Sequence, residues 1–589
     1  MVVTSQLAAM TDLEEVRKFM ETVLAERGFS LVVSGWNHPI ANVWSVRVGI
    51  SECPQLVANG KGISQTAALV SAMGEMLERL SCNYFFNGLY LSASACDEEF
   101  VYNPHEKWFP FEDGAWPSGL LDEAMLAHYN LSHHMTPEEL VDNGSGNRKR
   151  GLCALPFTRQ RQQQRVWIPV NIISNLYVGN GMAVGNDRDA ARVQALSEIF
   201  ERHIKTTIIT DGISLPPVPK PVLARYPHIL EMKSELESKG WIVEVKDASL
   251  NGRFPLINVN LLHPVTGGCF SCFGAHPRFQ TALERAFTEQ LQGRTLESLN
   301  NLPEPTFDLN RVAEQANLDA HFSRFTGCVS WDLFSEKHDY HFVDWDIPGS
   351  STLQFEHLCD LIHRVDMDIY IADYDFMGVP ACRIIVPGMS EVHPVSRLMQ
   401  RNDNRGYVLR PALLSLPDLS ASERRELLDQ LEDLELSPGS LMAGVIGVLA
   451  DTDSSWDQLS YAELRLLINL SLGEREQLED DLKVILSLPL PTSRIRRYRC
   501  LNILWQLDRD LHRSLESYRG ILIRVFGQAL VDQCIAMLEG QAEFPGFFTA
   551  GSHLEGFERH QQVLQLRSKV QKAKERFCKP LTALPANDA

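Results

Sequence analysis

Two stretches of this chain, 123 residues apart, are near-copies that each end in Glu-x-x-Glu-Arg. The first runs from Gly62 to Arg79 and the second from Gly185 to Arg202. They match at Gly62/Gly185, Ala67/Ala190, Ala68/Ala191, Val70/Val193, Ala72/Ala195, Glu75/Glu198, Glu78/Glu201 and Arg79/Arg202. Unrelated segments of ordinary composition agree at about one position in eighteen. At a helix's roughly 100° per residue, Ser71, Glu75, Glu78, Arg79 and Cys82 share one face, opposed by Leu69, Met73, Met76, Leu77 and Leu80. In the second stretch Gln194, Glu198, Glu201 and Arg202 oppose Val193, Leu196, Ile199 and Phe200. The fold must therefore seat two amphipathic helices against a core with matching charged faces outward. One such face reads as solvated ion pairs worth a few tenths of a kcal/mol each. Its repetition, with acids and base in the same order, points to a site where the two faces converge.

A third segment fits. In His276–Gln292 the residues Arg285, Glu289 and Gln292 fall at i, i+4 and i+7, with Leu283, Phe287 and Leu291 opposite. Convergence would gather Glu75, Glu78, Glu198, Glu201 and Glu289 with Arg79, Arg202 and Arg285. Oxygen ligands without His or Cys suit hard cations, above all Mg²⁺. A di-iron bundle would want His in the fourth position of Glu-x-x-His, and here that position is Glu. Arginines beside Mg²⁺ clamp phosphates bidentately and offset charge in phosphoryl or nucleotidyl transfer. The residues thus predict a Mg²⁺–nucleotide site. Neither standard phosphate-loop fingerprint is present. The nearest feature is Gly179-Asn-Gly-Met-Ala-Val-Gly-Asn186, expected to meet an anion at the start of the second helix.

These motifs, Ser71-Ala-Met-Gly-Glu-Met-Leu-Glu-Arg79, Asn180–Asn186, Leu196–Arg202 and Ala282–Gln292, resemble those of the YcaO family. Tyr370-Ile-Ala-Asp373 and Arg383-Ile-Ile-Val-Pro-Gly388 are similar to its later strands, so the resemblance covers about residues 1–400. It implies use of ATP with Mg²⁺ to activate a peptide backbone amide oxygen. It also implies metal binding by Glu75, Glu78, Glu198, Glu201 and Glu289. Nucleotide contacts are implied for Ser71, Glu75, Arg79, Asn186, Arg202 and Arg285. Such a protein acts as a template that aligns nucleotide and amide and supplies no covalent nucleophile. Three features depart from the family pattern. The chain ends Phe577–Ala589 without a Pro-x-Pro-x-Pro run, Ala190 stands where relatives carry Glu, and Leu7-Ala-Ala-Met10 is apolar.

The resemblance is strongest to a bacterial subgroup with a helical C-terminal extension. That subgroup is linked to β-methylthiolation of an aspartate in a small-subunit ribosomal protein, as accessory factor to a radical-SAM methylthiotransferase. The chain lacks the Cys-x-x-x-Cys-x-x-Cys motif of the methylthiotransferase itself. The implied partners are a protein or peptide substrate, that enzyme, the ribosomal protein and a second copy of the chain as a homodimer. Two alternatives stay open: a non-catalytic nucleotide-binding scaffold, and an azoline-forming cyclodehydratase of peptides.

A net charge of −20 argues against direct nucleic-acid or anionic-membrane binding. No apolar run approaches the roughly 18 residues that span a bilayer, and the N-terminus has no signal-peptide pattern, so a cytoplasmic protein is expected. Cysteines scattered in apolar contexts fit reduced thiols. Cys269-Phe-Ser-Cys272 reads as core strand, with no second pair to complete a zinc site, and His203 reads as a core histidine. Val166–Ile173, Asp368–Asp375 and Ala381–Pro387 read as strands. Beyond the Asn402–Gly406 turn the chain becomes Leu-, Glu- and Arg-rich with helical periodicity, broken at Ser437-Pro-Gly, Pro489-Leu-Pro-Thr and Glu543-Phe-Pro-Gly. The expected fold is an α+β YcaO-type ATP-binding core with duplicated signature helices over 1–405. An all-α, tetratricopeptide-like module for partner binding or dimerisation follows over 420–589.

Overall fold

A computed structural model describes residues 7–581, apart from 8, 9, 11, 111–114, 131–134, 300, 324, 325, 401, 542, 543 and 552. Ala8, Ala9, Glu543 and the tail 582–589, all of which enter the sequence reading, lie outside the described residues.

Helix α1 (Leu13–Glu26) leads into an antiparallel sheet of β1 (Leu31–Ile40), β2 (Val43–Ile50) and β3 (Cys53–Gly62), crossed by α2 (Gln65–Ser81). The chain continues through β4 (Lys107–Phe109), β5 (Leu152–Arg159), β6 (Gln164–Pro169) and β7 (Met182–Val184) to the long helix α3 (Arg188–Asp211). A second three-stranded antiparallel sheet, β8 (Ile242–Asp247), β9 (Leu256–Leu262) and β10 (Cys269–Ala275), is crossed by α4 (Phe279–Gln290). After α5 (Ser351–His363), strands β11 (Tyr370–Tyr374) and β12 (Ala381–Ile385) complete a sheet ordered β4-β5-β11-β12-β7, with β6 beside β5. Each signature helix thus has its own sheet: β1–β3 behind α2, the β12/β7 edge behind α3, β8–β10 behind α4.

Close approach of sheet to helix is made possible by glycine. A Cβ on Gly60 would collide with the backbone of Ala68 and Ala72 in α2, and one on Gly274 with Ala282 and Ala286 in α4. Gly60→Ala is therefore expected to cost about 3 kcal/mol or more of stability. Gly35, also in a strand, has open space around its Cβ position, and Gly35→Ala should stay within about 0.5 kcal/mol. Urea unfolding followed by circular dichroism checks both.

The helix starts are equally determined. Ser64 accepts the N–H of Ala67 at the start of α2, and Asp187 accepts that of Ala190 at the start of α3. Gly62 and Gly185 pass so near these first turns that a Cβ would meet Ala67–Ala68 and Ala190–Ala191. Matched Gly and Ala positions in the two stretches are thus tight helix entries.

Two local expectations are corrected. The segment Val166–Ile173 is strand only to Pro169, after which Val170–Ile172 is α-helical and Ile173–Tyr177 a π-helix. Pro169 has no N–H to extend the ladder, and the chain turns helical there. Cys82 does not share the polar face of α2. It is the buried C-cap residue, its thiol against the Cys382 carbonyl.

The C-terminal region is helical: α6 (Ala421–Asp433), α7 (Tyr461–Ser471), α8 (Leu478–Ser487), α9 (Thr492–Arg509), α10 (Leu515–Phe526), α11 (Gln528–Leu538) and α12 (Glu558–Phe577). Helices α6–α11 enclose a core around Trp456, Leu464, Leu482, Tyr498 and Val531. Helix α12 does otherwise. Its Val563, Leu566, Val570 and Ala573 belong to the core packed around α2, with Phe85, Val101 and Phe376. Arg567 pairs with Glu98 and donates to Val101 O at 2.9 Å, and Gln571 donates to Phe100 O and Val101 O. The helix straps the last segment of the chain to the first.

Lys574 of α12 donates to Asn83 Oδ1 at 2.5 Å and to Tyr102 O, and burial pushes its pKa down to about 7 from 10.5. Between those values the unfolded chain binds more protons than the folded one, so stability rises with pH across the window. Below about pH 7 the strap carries the cost of a buried ammonium. The melting temperature of the wild type relative to Lys574→Met should climb between pH 7 and 10; a pH-independent difference would contradict the assignment.

Candidate functional site

Between α2, α3 and α4 lies a cavity of 1390 Å³, larger than the roughly 300–1,000 Å³ usual for small-molecule sites. Helix α2 contributes Ser71, Glu75, Glu78 and Arg79 to its wall, and α4 contributes Arg285 and Glu289. From α3 come Glu198, Glu201 and Arg202, with Asn186 just ahead of the helix cap. Gln292 lines it too, though it lies past the end of α4. Side chains far apart in sequence are brought to one space because three sheets hold three helices with their charged faces inward.

Each helix ties one carboxylate to a cation. Glu75 pairs with Arg79 and accepts the Asn59 N–H at 2.9 Å. Arg79 also donates to Val57 O at 2.6 Å and lies over Tyr84. Glu198 pairs with Arg202 at 2.7 Å, and the guanidinium stacks on Phe322, 4.4 Å from its centroid. Arg285 donates to Ala275 O at 2.8 Å, while Glu201 accepts the Ala275 N–H at 3.4 Å. Glu289 pairs with Lys61, whose own N–H meets Ser71 Oγ at 3.5 Å.

Lys61, Asn59 and Phe322 carry no sequence signal. The position matching Lys61 in the second stretch is Val184, so it falls outside the repeated pattern. Three more lysine or arginine residues, Arg47, Lys205 and Arg294, also line the cavity.

Burial raises the pKa of Glu75, of Glu198 and, furthest, of Glu78. For Glu78 the like charges of Glu198 and Glu75 add to burial, opposed by Arg79 and Arg383. Lys61 and Arg285 are pushed down by the same loss of water, partly offset by Glu201. The cluster is thus short of positive charge around Glu78. An all-oxygen donor set in that condition fits a hard divalent cation. Among the described residues no three His, Cys, Asp or Glu side chains are already gathered as a metal cage. Glu75, Glu198 and Glu289 are each held to a separate cation.

The Gly179–Asn186 segment divides in two: Gly185 and Asn186 line the cavity just ahead of α3, and the earlier glycines form a turn. Strand β7 separates Gly179–Gly181 from α3, and the first-turn N–H of Ala190 is already taken by Asp187 at 2.7 Å. Gly181 has φ +74°, and a Cβ there would strike Ile384 O. Val178, β-branched yet at φ +46°, is held by a 2.9 Å bond from the buried Arg383 to its carbonyl. The Gly179–Gly181 part is a tight turn packed on β12, and Gly179, Met182, Val184, Gly185 and Asn186 stand at the cavity wall.

Cys269 and Cys272 lie on opposite faces of β10, in different cores, so they cannot share a metal. Burial raises both thiols, Cys272 to about 12. His203 is partly buried and its pKa is lowered by burial. Leu7 is fully buried and Met10 packs on the same core. Among the described residues no helix is long and apolar enough to cross a membrane.

The family model described as YcaO cyclodehydratase, ATP- and Mg²⁺-binding, matches residues 59–390, more than half of the chain. The chain belongs to the YcaO family. The model of the YcaO cyclodehydratase C-terminal domain matches residues 406–576. ATP and Mg²⁺ are the cofactors of the YcaO domain. The chain is 42% identical over 577 residues to the ribosomal protein S12 methylthiotransferase accessory factor YcaO of Escherichia coli, covering 97% of this chain and 98% of that protein. An uncharacterized protein of Haemophilus influenzae is 42% identical over 574 residues, 96% and 97% of the two chains. Among solved structures, YcaO from Methanopyrus kandleri bound with AMPPCP and Mg²⁺ is 16% identical, covering 64% of this chain and 91% of that one, with a TM-score of 0.38. A heterocyclase in complex with substrate and cofactor is 15% identical, covering 63% of this chain and 52% of that one, with a TM-score of 0.40.

Proposed function

We propose that this YcaO protein binds Mg²⁺–ATP in the cavity between α2, α3 and α4 and uses it to activate a backbone amide of a protein or peptide, or to assist a protein modification. One observation carries the reading: every carboxylate and arginine picked from the three helical signatures lines the same cavity. Glu75, Glu78, Glu198, Glu201 and Glu289 would hold Mg²⁺, which when bound neutralises phosphate charge. Arg79, Arg202 and Arg285 bind and orient phosphates, with Ser71 and Asn186 as neutral partners. Arg202 is braced for this by Phe322 and Arg79 by Tyr84. The part-buried walls limit competing water, and the volume leaves room for a peptide segment beside a nucleotide.

The Escherichia coli relative's name supports a ribosomal protein and its methylthiotransferase as partners, with the chain as their accessory factor; a radical-SAM enzyme and a cytoplasmic setting are the further parts of this proposal. Residues 1–405 form the nucleotide domain. The helices α6–α11, which share a core of their own, form a tetratricopeptide-like module for partner binding or homodimerisation, and α12 ties that module to the nucleotide domain.

Calorimetric titration with a non-hydrolysable ATP analogue, with and without Mg²⁺, tests the reading. Binding that requires Mg²⁺ is the expected result. No binding at millimolar nucleotide would overturn it.

A further inference from the structure

We infer that Lys61 is a resident counter-ion of the carboxylate cluster, which moves from Glu289 to a phosphate oxygen when metal and nucleotide enter. This rests on the nucleotide reading of the cavity and assigns a role to a residue outside the signatures. Lys61 is the penultimate residue of β3, immediately before the glycine that closes the strand and opens the way into α2. Its ammonium group pairs with Glu289, a carboxylate from the other sheet-and-helix unit, so the pair spans the cavity between α2 and α4. Both side chains are mostly shielded, 24% and 14% exposed. Glu75, Glu78, Glu198 and Glu201 line the same cavity. The ammonium is therefore paired to one of the five carboxylates proposed to hold Mg²⁺ and shares a cavity with the other four.

A cation in that place has two consequences. It lowers the repulsion of the cluster when no metal is bound, and it competes with metal for Glu289. Lysine suits an exchange better than arginine, since a flexible four-carbon stem carries a point charge and no planar fork fixes its partner. Arg79 and Arg202 are the contrast, each with an i,i+4 carboxylate and an aromatic face to hold it. Lys61 has a partner across the cavity, and a metal ion at Glu289 would release it toward the phosphates.

The test is titration calorimetry of the full chain with Mg²⁺ alone and with the non-hydrolysable ATP analogue plus Mg²⁺. In Lys61→Met, binding of the Mg²⁺–analogue should weaken about 10- to 100-fold, the loss of one charge-assisted contact. Binding of Mg²⁺ alone should tighten several-fold, because Glu289 is released. Opposite signs are the mark of exchange. Equal weakening of both, or unchanged analogue affinity, overturns the inference while leaving the nucleotide site intact. Failure of the wild type to bind the analogue overturns the site reading and this inference with it. Lys61→Gln, which keeps a polar donor without charge, serves as second variant should Lys61→Met fold poorly, and the same signs are expected.

Discussion

Replacing Glu198 by alanine should abolish Mg²⁺-dependent nucleotide binding, weakening it at least about 100-fold, while the chain stays folded. Loss of a metal-site supporting partner alone costs about 10–100-fold in affinity, and a direct ligand more. Glu198 sits where the charges of all three helices meet: it pairs with Arg202 and feels Glu201, Glu75 and Arg285. Its removal strips a carboxylate from the cation and frees the arginine meant for phosphate. The fold should tolerate the change, because the Arg202 side chain keeps its contact with Phe322 and is one-third exposed. Glu75→Ala is a poorer probe. Position on a polar face suggests a harmless truncation, but Glu75 also accepts the Asn59 N–H from β3, and its loss leaves that donor unpaired. Glu284, which lines the cavity but is occupied by His228 at 2.8 Å, is the control: Glu284→Ala should leave affinity within a few-fold. Normal binding by Glu198→Ala, with an unchanged melting curve, would remove Glu198 from the site.

The second large effect runs in the opposite direction for stability. Glu78→Gln should raise the melting temperature of the metal-free protein at pH 8 by about 2–6 °C, and at the same time eliminate nucleotide binding. Burial, followed by the like charges of Glu198 and Glu75, holds the Glu78 carboxyl well above its ordinary 4.5. Between that value and the raised one the folded chain binds more protons than the unfolded chain, so stability falls as pH rises through the window. A neutral isostere is exempt from that loss. The gain should therefore be absent near pH 4 and grow toward neutrality, and saturating Mg²⁺–nucleotide should restore the advantage to the wild type by binding only its folded state. Scanning calorimetry at pH 4.5, 6 and 8 decides it. A destabilised variant at pH 8 would mean that Glu78 is an ordinary structural acceptor. The trade of stability for a charged site is a common one in functional clefts.

The local sequence determined the helices and their faces. The spacing of Glu75, Glu78 and Arg79, repeated at Glu198, Glu201 and Arg202, follows from helical period alone, as does Arg285 with Glu289. So do the entries Gly62 and Gly185, because helix starts are made by residues within one turn. That the three faces meet, and across what, was decided by tertiary packing. Gly60 with Glu75, and Gly274 with Glu289, stand at equal separations in the two sheet-and-helix units, yet too few residues agree for the parallel to be read along the chain. The Lys61–Glu289 pair, Phe322 under Arg202 and the return of α12 to the first core join residues hundreds of positions apart or in unrelated segments. No periodicity encodes such contacts. They exist because close packing of apolar faces, at glycines that let backbones touch, turns polar groups from separate segments into one shared space.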